Sequence, residues 1–216
     1  MIVYGASFSP FVRKAVVFAL EKGLAPEVRP TGIPKPTADF LEASPFGKIP
    51  GFRDGDFAIS DSSAIIHYLE ARFPEPAMIP ADPELRGRTI WFDEFADTIL
   101  VDCGRKMFFN RIVAPRFLGR AGDLEAAEVA EKQELPPILD YLERTVPEPG
   151  CYLVGETITL ADIAVASPFA NLAHVCCEIC PERHGRVRGY VESILSRPSF
   201  APWIEREAAQ LSTKAA

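Results

Sequence analysis

Positive charge is in short supply in this 216-residue chain: 23 lysines and arginines face 30 aspartates and glutamates, a formal net charge of −7. Sequence-independent binding of nucleic acid needs a basic face, so no nucleic-acid partner is expected. Long apolar runs are missing too. None approaches the roughly 18 residues that cross a bilayer, and no membrane partner is expected. No basic stretch leads into an apolar one at the N-terminus, so a secretory leader is not expected either. The five cysteines, an odd number at irregular spacings, do not form a secreted disulfide framework. Internal repeats and low-complexity tracts are absent. What remains is an ordinary globular balance, 48% hydrophobic and 25% charged residues, that suits a reduced cytoplasmic protein with a sizeable core.

The stretch "FPEPAMIPADPELRG", with Pro74, Pro76, Pro80 and Pro83, reads as a break in which no helix continues. It divides the chain into residues 1–75, a linker over 76–85, and residues 86–216. In the first part "IVYG" reads as a strand and "PFVRKAVVFALEKG" as a helix closed by Gly23, with Pro10 in its first turn. "EVRPT" follows as a strand and "TADFLEAS" as a short helix ended at Ser44-Pro45. "GFRDG" and "DFAIS" form a hairpin turning at Asp54-Gly55, and "SSAIIHYLEARF" is a third helix. The order β-α-β-α-β-β-α describes a layered α/β domain. Beyond the break, helical period predicts helices at about 86–109, 123–145, 159–172 and 185–196. In "ITLADI", Thr159 caps a helix, Asp162 reaches back to it, and Ile158 and Ile163 staple the turn.

Two helix openings in the first part carry chemistry. A helix N-terminus exposes unpaired N–H groups and a partial positive charge, so it favours an anion. Ser9 stands immediately before the first helical turn, where its hydroxyl caps the helix or donates to an external anion such as a thiolate; Ser7 lies two residues earlier in the same loop. Asp61, Ser62 and Ser63 open another helix straight after a strand, with a carboxylate placed to take an ammonium group. Together the two openings suit a ligand carrying a thiol, an amine and a carboxylate, although two ordinary caps explain the spacing equally. Between them "GKIPGF" places Pro50 ahead of a strand; about 5–6% of such bonds are cis, so composition leaves its isomer open.

Quoted together, "SPFVRKAVVFALEKGL", "SPFGKIPGF", "DSSAIIHYLEARFP", "GETITLADIAVA" and "SRPSFAPW" resemble the cytosolic glutathione transferase family over essentially the whole chain, in its serine-type, bacterial and tau-like branch. The resemblance implies a thioredoxin-like N-terminal domain followed by an all-helical C-terminal domain, in a homodimer. It implies glutathione as co-substrate, no metal, and conjugation of the glutathione thiolate to small apolar electrophiles. Residue by residue, it gives Ser9 the sulfur, in preference to Ser7, and gives Lys48 the glycyl carboxylate. Ile49 pairs its backbone with the cysteinyl unit ahead of a proline that is cis in the family, while Asp61 and Ser62 hold the γ-glutamyl amine and carboxylate. An Asp where the family more often has Glu shortens that reach by one methylene. The thiol-reducing branches carry a cysteine at the position of Ser9, which disfavours mixed-disulfide chemistry here. Glutathione-dependent peroxidase or thioether-cleaving activity, and a non-catalytic binding module, stand as rival readings.

The resemblance also places the electrophile between the domains, against Phe8 and the first C-terminal helix. There "CGRKMFFNRIVAPRF" offers Phe108 and Phe109 as walls with Arg105 and Arg111 nearby, though core and solvated surface explain them equally. Tyr4 reads as core and His67 as structural. Asp93 and Asp97 read as solvated surface before they read as partners of a neighbouring subunit's ligand. "HVCCEICPERH" gathers His174, Cys176, Cys177, Cys180 and His184, soft ligands enough for zinc; the pairwise spacing of a zinc site is missing and Pro181 breaks the set, so ordinary packing is the expectation.

Overall fold

The computed structural model describes residues 1–31 and 35–213. It forms two compact units, Met1–Ile79 and Pro80–Ala216. In the first, β1 (Ile2–Tyr4), α1 (Pro10–Glu21), β2 (Glu27–Arg29), α2 (Ala38–Ala43), β3 (Gly51–Asp54), β4 (Phe57–Ser60) and α3 (Ser62–Arg72) follow in the expected order. The strands lie in the order β2-β1-β3-β4. β1 runs parallel to β2 and antiparallel to β3, with Val3 opposite Val28 and Phe52. β4 runs antiparallel to β3, pairing Asp54 with Phe57, so Gly55 (φ 59°) and Asp56 make the two-residue turn.

Alternation along β1 sends Val3 and Tyr4 to opposite faces of the sheet. Tyr4 packs with Phe40 and Ala43 of α2, while α1 and α3 pack against each other. Val3, Val12, Phe18, Phe52, Ile65 and Leu69 are all buried, and each such side chain contributes about 1.5–3 kcal/mol on leaving water. A buried polar clamp closes the unit. Lys22 Nζ donates to the carbonyls of Phe73 (2.8 Å) and Pro76 (2.7 Å) and pairs with Glu70 at 2.7 Å. The other Glu70 oxygen accepts the N–H groups of Met78 and Ile79, both at 3.0 Å. Residues 73–79 are thereby tied onto α1 and α3, and the stretch read as linker contains the unit boundary.

The second unit is helical. α4 (Pro83–Phe95) starts three residues earlier than expected: Asp82 accepts from the N–H groups of Glu84 (3.1 Å) and Leu85 (3.0 Å). Pro83 at the first helical position has no N–H to lose there, so it opens the helix instead of breaking it. The helix continues through a π-turn (Ala96–Leu100), α5 (Val101–Phe108), a second π-turn (Phe109–Val113) and α6 (Ala114–Phe117), well past the expected end at 109. α7 (Leu124–Val129), a π-turn (Ala130–Glu134) and α8 (Leu135–Thr145) form the next helical run, capped by Asp123. α9 (Leu160–His174) is buried on all sides from Leu160 to Leu172, as an apolar helix in a bundle must be.

The expected start at 185 marks a real break. α10 (Pro181–Leu195) leaves helical geometry at His184 (φ −131°, ψ 40°), and the N–H groups of Arg186 and Val187 beyond it are accepted by the Glu143 carboxylate at 3.1 and 2.9 Å. α11 (Ala201–Thr213) lies beyond the last helix expected from the helical period; Pro202 falls in its first turn, where proline is harmless.

Candidate functional site

β1, β3 and β4 bring their chemistry to one edge of the sheet. Because β1 and β4 both run antiparallel to β3, the end of β1, the start of β3 and the end of β4 coincide. The loop 5–9, the segment 48–50 and the start of α3 therefore gather at that edge, where α1 and α3 both begin.

The first loop turns sharply at Gly5 (φ 152°). A Cβ there would lie 2.5 Å from Val12 Cγ2 and 3.4 Å from Ile49 Cβ, so glycine allows the loop to close against α1 and against the neighbouring segment. Ser9 then caps α1: its backbone is extended (φ −78°, ψ 122°) and its Oγ accepts the Val12 N–H at 3.4 Å. That bond is long, it uses an oxygen lone pair, and the hydroxyl proton is left to donate. Ser7 lies in the preceding turn, half-buried like Ser9.

The middle segment is held from both sides. Ser44 Oγ donates to the Lys48 carbonyl at 2.6 Å, and the Ile49-Pro50 bond is cis. The Pro50 carbonyl accepts the Asp61 N–H at 3.3 Å, which joins this segment to the mouth of α3. Lys48 is exposed and Ile49 half-buried. Asp61 caps α3 by accepting the Ala64 N–H at 3.0 Å, with backbone angles φ 86° and ψ 129°. That region is nearly closed to non-glycine residues, and such strain concentrates at functional sites. Ser62, next along, is 2% exposed and His67 is exposed.

One residue of this edge escaped the sequence reading. Lys14, on α1, is 1% exposed, and its Nζ donates to Ser63 Oγ at 3.2 Å. The available signal was a basic pair, Arg13-Lys14, inside an otherwise apolar helix.

Other candidates are placed elsewhere. Tyr4 is buried in the core. Phe108 is buried, and Phe109 carries the Arg120 guanidinium over its ring. Arg111 pairs with Glu131 at 2.5 Å and Arg105 with Asp102 at 3.2 Å. Asp93 is not solvated surface: it is 1% exposed, in a buried stripe with Thr89, Ala96 and Leu100 that follows the helical repeat.

The cysteine-histidine stretch is divided among separate partners. His174 Nε2 meets the buried Glu207 at 2.8 Å, and His184 Nε2 meets Asp140 at 2.8 Å. Among the described residues no three histidine, cysteine or acidic side chains come together around a metal position. Burial pushes the Cys103 thiol up to about 11 and the Cys177 thiol up to about 12, so neither supplies a thiolate at neutral pH. No helix among the described residues is long and apolar enough to cross a membrane.

Comparison with known proteins agrees in both units. The family model "Glutathione S-transferase, N-terminal domain" matches residues 3–77, and "Glutathione S-transferase, C-terminal domain" matches residues 113–207. The chain is 31% identical to Glutathione S-transferase 3 of Zea mays over 207 residues, covering 92% of this chain and 90% of the maize protein. It is 32% identical to the uncharacterized GST-like protein YibF of Escherichia coli, covering 93% and 96% of the two. Among solved structures, a glutathione S-transferase from Rhodospirillum rubrum superimposes with a TM-score of 0.83 at 23% identity, covering 94% of this chain and 90% of that one.

Proposed function

The chain belongs to the glutathione S-transferase family, and on that premise we propose that it joins the glutathione thiolate to small apolar electrophiles, with Ser9 as the catalytic residue. The observation that carries the reading is the Ser9 hydroxyl. It spends a lone pair on the Val12 N–H at 3.4 Å and keeps its proton at the edge shared by Ile49 and Asp61.

A free thiol titrates near ~8.5, so a few per cent is ionised at neutral pH. Lowering that value by about 2 units takes roughly 2.7 kcal/mol of preferential thiolate stabilisation. One charge-assisted hydrogen bond from Ser9, beside the positive end of α1, is of that size. The thiol proton leaves to solvent, the sulfur attacks the electrophilic carbon, a C–S bond forms, and the leaving group departs with its electron pair. Acceleration comes from ionisation and from proximity.

In this reading Lys48 meets the glycyl carboxylate, and the Ile49 backbone adds the cysteinyl unit as a short extra strand. Ser62 takes the γ-glutamyl carboxylate and Asp61 its amine. The working form is a cytoplasmic homodimer of the serine type. A second reading, a glutathione-binding protein without transferase turnover, uses the same edge of the sheet with no electrophile beside it.

Retention on immobilised glutathione followed by conjugation of an activated aryl halide separates the two. Turnover supports the transferase, retention alone supports the binding protein, and no retention removes both. Ser9→Ala is expected to leave the fold intact, lower kcat/KM by roughly tenfold to a hundredfold, and raise the apparent pKa of bound glutathione by about 1–2 units. An unchanged thiolate titration in that variant transfers the role to Ser7 or to a backbone amide.

A further inference from the structure

We infer that Lys14 is a positioning residue for the γ-glutamyl end of glutathione, acting through Ser63 at the mouth of α3; this rests on the glutathione reading above. An ammonium is among the most expensive groups to withdraw from water, and a methionine would fill a similar volume without that cost. Yet Lys14 is 1% exposed, on the helix that Ser9 caps. Its Nζ reaches 49 residues along the chain to Ser63, the second residue of α3, at 3.2 Å.

Ser63 is bracketed by the groups that define that opening. Asp61 caps the helix through the Ala64 N–H, and Ser62, between them, is 2% exposed. Lys14 therefore fixes the first turn of α3 relative to α1, so the two helix openings keep one spacing. Its charge also adds to the positive end of the α3 dipole. A carboxylate arriving at Ser62 meets a helix start whose potential and position Lys14 has set. The effect is specific to one end of the tripeptide, because the sulfur lies at Ser9 and the glycyl end at Lys48.

The test uses the full-length protein and two probes, S-hexylglutathione and S-hexyl-cysteinylglycine, which lacks the γ-glutamyl residue. Lys14→Met is expected to weaken the first by roughly tenfold, the scale of one lost charge-assisted contact, and the second by less than about twofold. Lys14→Arg keeps the charge and most of the affinity. Ser63→Ala, which leaves the buried charge in place and so guards against misfolding of the methionine variant, weakens the first probe by about threefold. The double variant is no worse than Lys14→Met alone, because the two residues act as one unit. Equal weakening of both probes, or no weakening of either by any variant, overturns the inference while leaving wild-type binding of glutathione intact. Failure of the wild-type protein to bind S-hexylglutathione overturns the parent reading as well.

Discussion

This molecule contains two kinds of helix start, one in each unit. At α9 the polar groups are spent on one another. Asp162, 0% exposed, accepts from the Thr159 N–H (2.9 Å) and Oγ1 (3.0 Å), the Leu153 N–H (2.8 Å) and the Tyr190 hydroxyl (2.7 Å). At α1 and α3 the caps are thin: one long bond to Ser9 Oγ, and one bond to an exposed Asp61 held at φ 86°. The residue types are the same, and capacity left over tells them apart. A saturated, buried cap builds the fold, whereas a thin cap at a sheet edge keeps a donor and a dipole for something that arrives.

The sharpest way to break this contrast is at the saturated end. Asp162→Ala removes the acceptor of four donors in the interior and should cost about 3–5 kcal/mol in the second unit, the range for breaking a buried polar network. Burial raises the Asp162 carboxyl above its usual range while those donors oppose it, and burial holds the Tyr190 phenol well above its own. Asp162→Asn, which cannot accept from all four, should fall between alanine and wild type. Urea unfolding monitored in both units reads the effect; a loss below about 1 kcal/mol would show that the cluster is not what fixes α9.

Asp61 gives an effect of opposite sign. A non-glycine residue in that backbone region costs about 1–3 kcal/mol, and glycine is only a few tenths of a kcal/mol worse than aspartate as a cap. Asp61→Gly should therefore leave stability unchanged or raise it by about 1 kcal/mol while weakening glutathione binding. Gain on one axis with loss on the other is the signature of strain kept for a ligand. If Asp61→Gly destabilises the first unit and binds glutathione normally, the thin cap is structural after all.

Legibility followed distance along the chain. The capping box is a three-residue pattern, and both Thr159 and Asp162 stood out in "ITLADI"; so did the strand-loop-helix starts at Ser9 and Asp61. The Lys22–Glu70 clamp and the Lys14–Ser63 contact join residues dozens apart, and each looks locally like a surface lysine on a helix. The π-turns at 96–100 and 109–113 widen the helical repeat, so a fixed period ends the first helix too soon. Asp93 was misread because charge suggested solvent, although its stripe with Thr89 and Ala96 was already in the spacing.

Asp140 stands between the two extremes, paired but wetted, and should show the smallest effect. Its carboxylate accepts from Arg183 Nε (3.0 Å) and Nη2 (2.6 Å), and meets His184 Nε2 at 2.8 Å, joining α8 to the kinked start of α10. The Arg183 guanidinium foremost, then His184, hold the Asp140 carboxyl below its usual range. A depressed folded value stabilises the native state above the unfolded value of about 3.9, and that contribution disappears as the pH falls through the lower folded value. A guanidinium is not deprotonated in proteins, so protonation of the Asp140 carboxylate is what breaks the contact with Arg183. The stability gap between wild type and Asp140→Asn should accordingly close progressively below about pH 4. Urea midpoints across that range measure it. A gap that persists at low pH means that Asp140 acts through packing, and a gap absent at neutral pH means that water has already screened the pair.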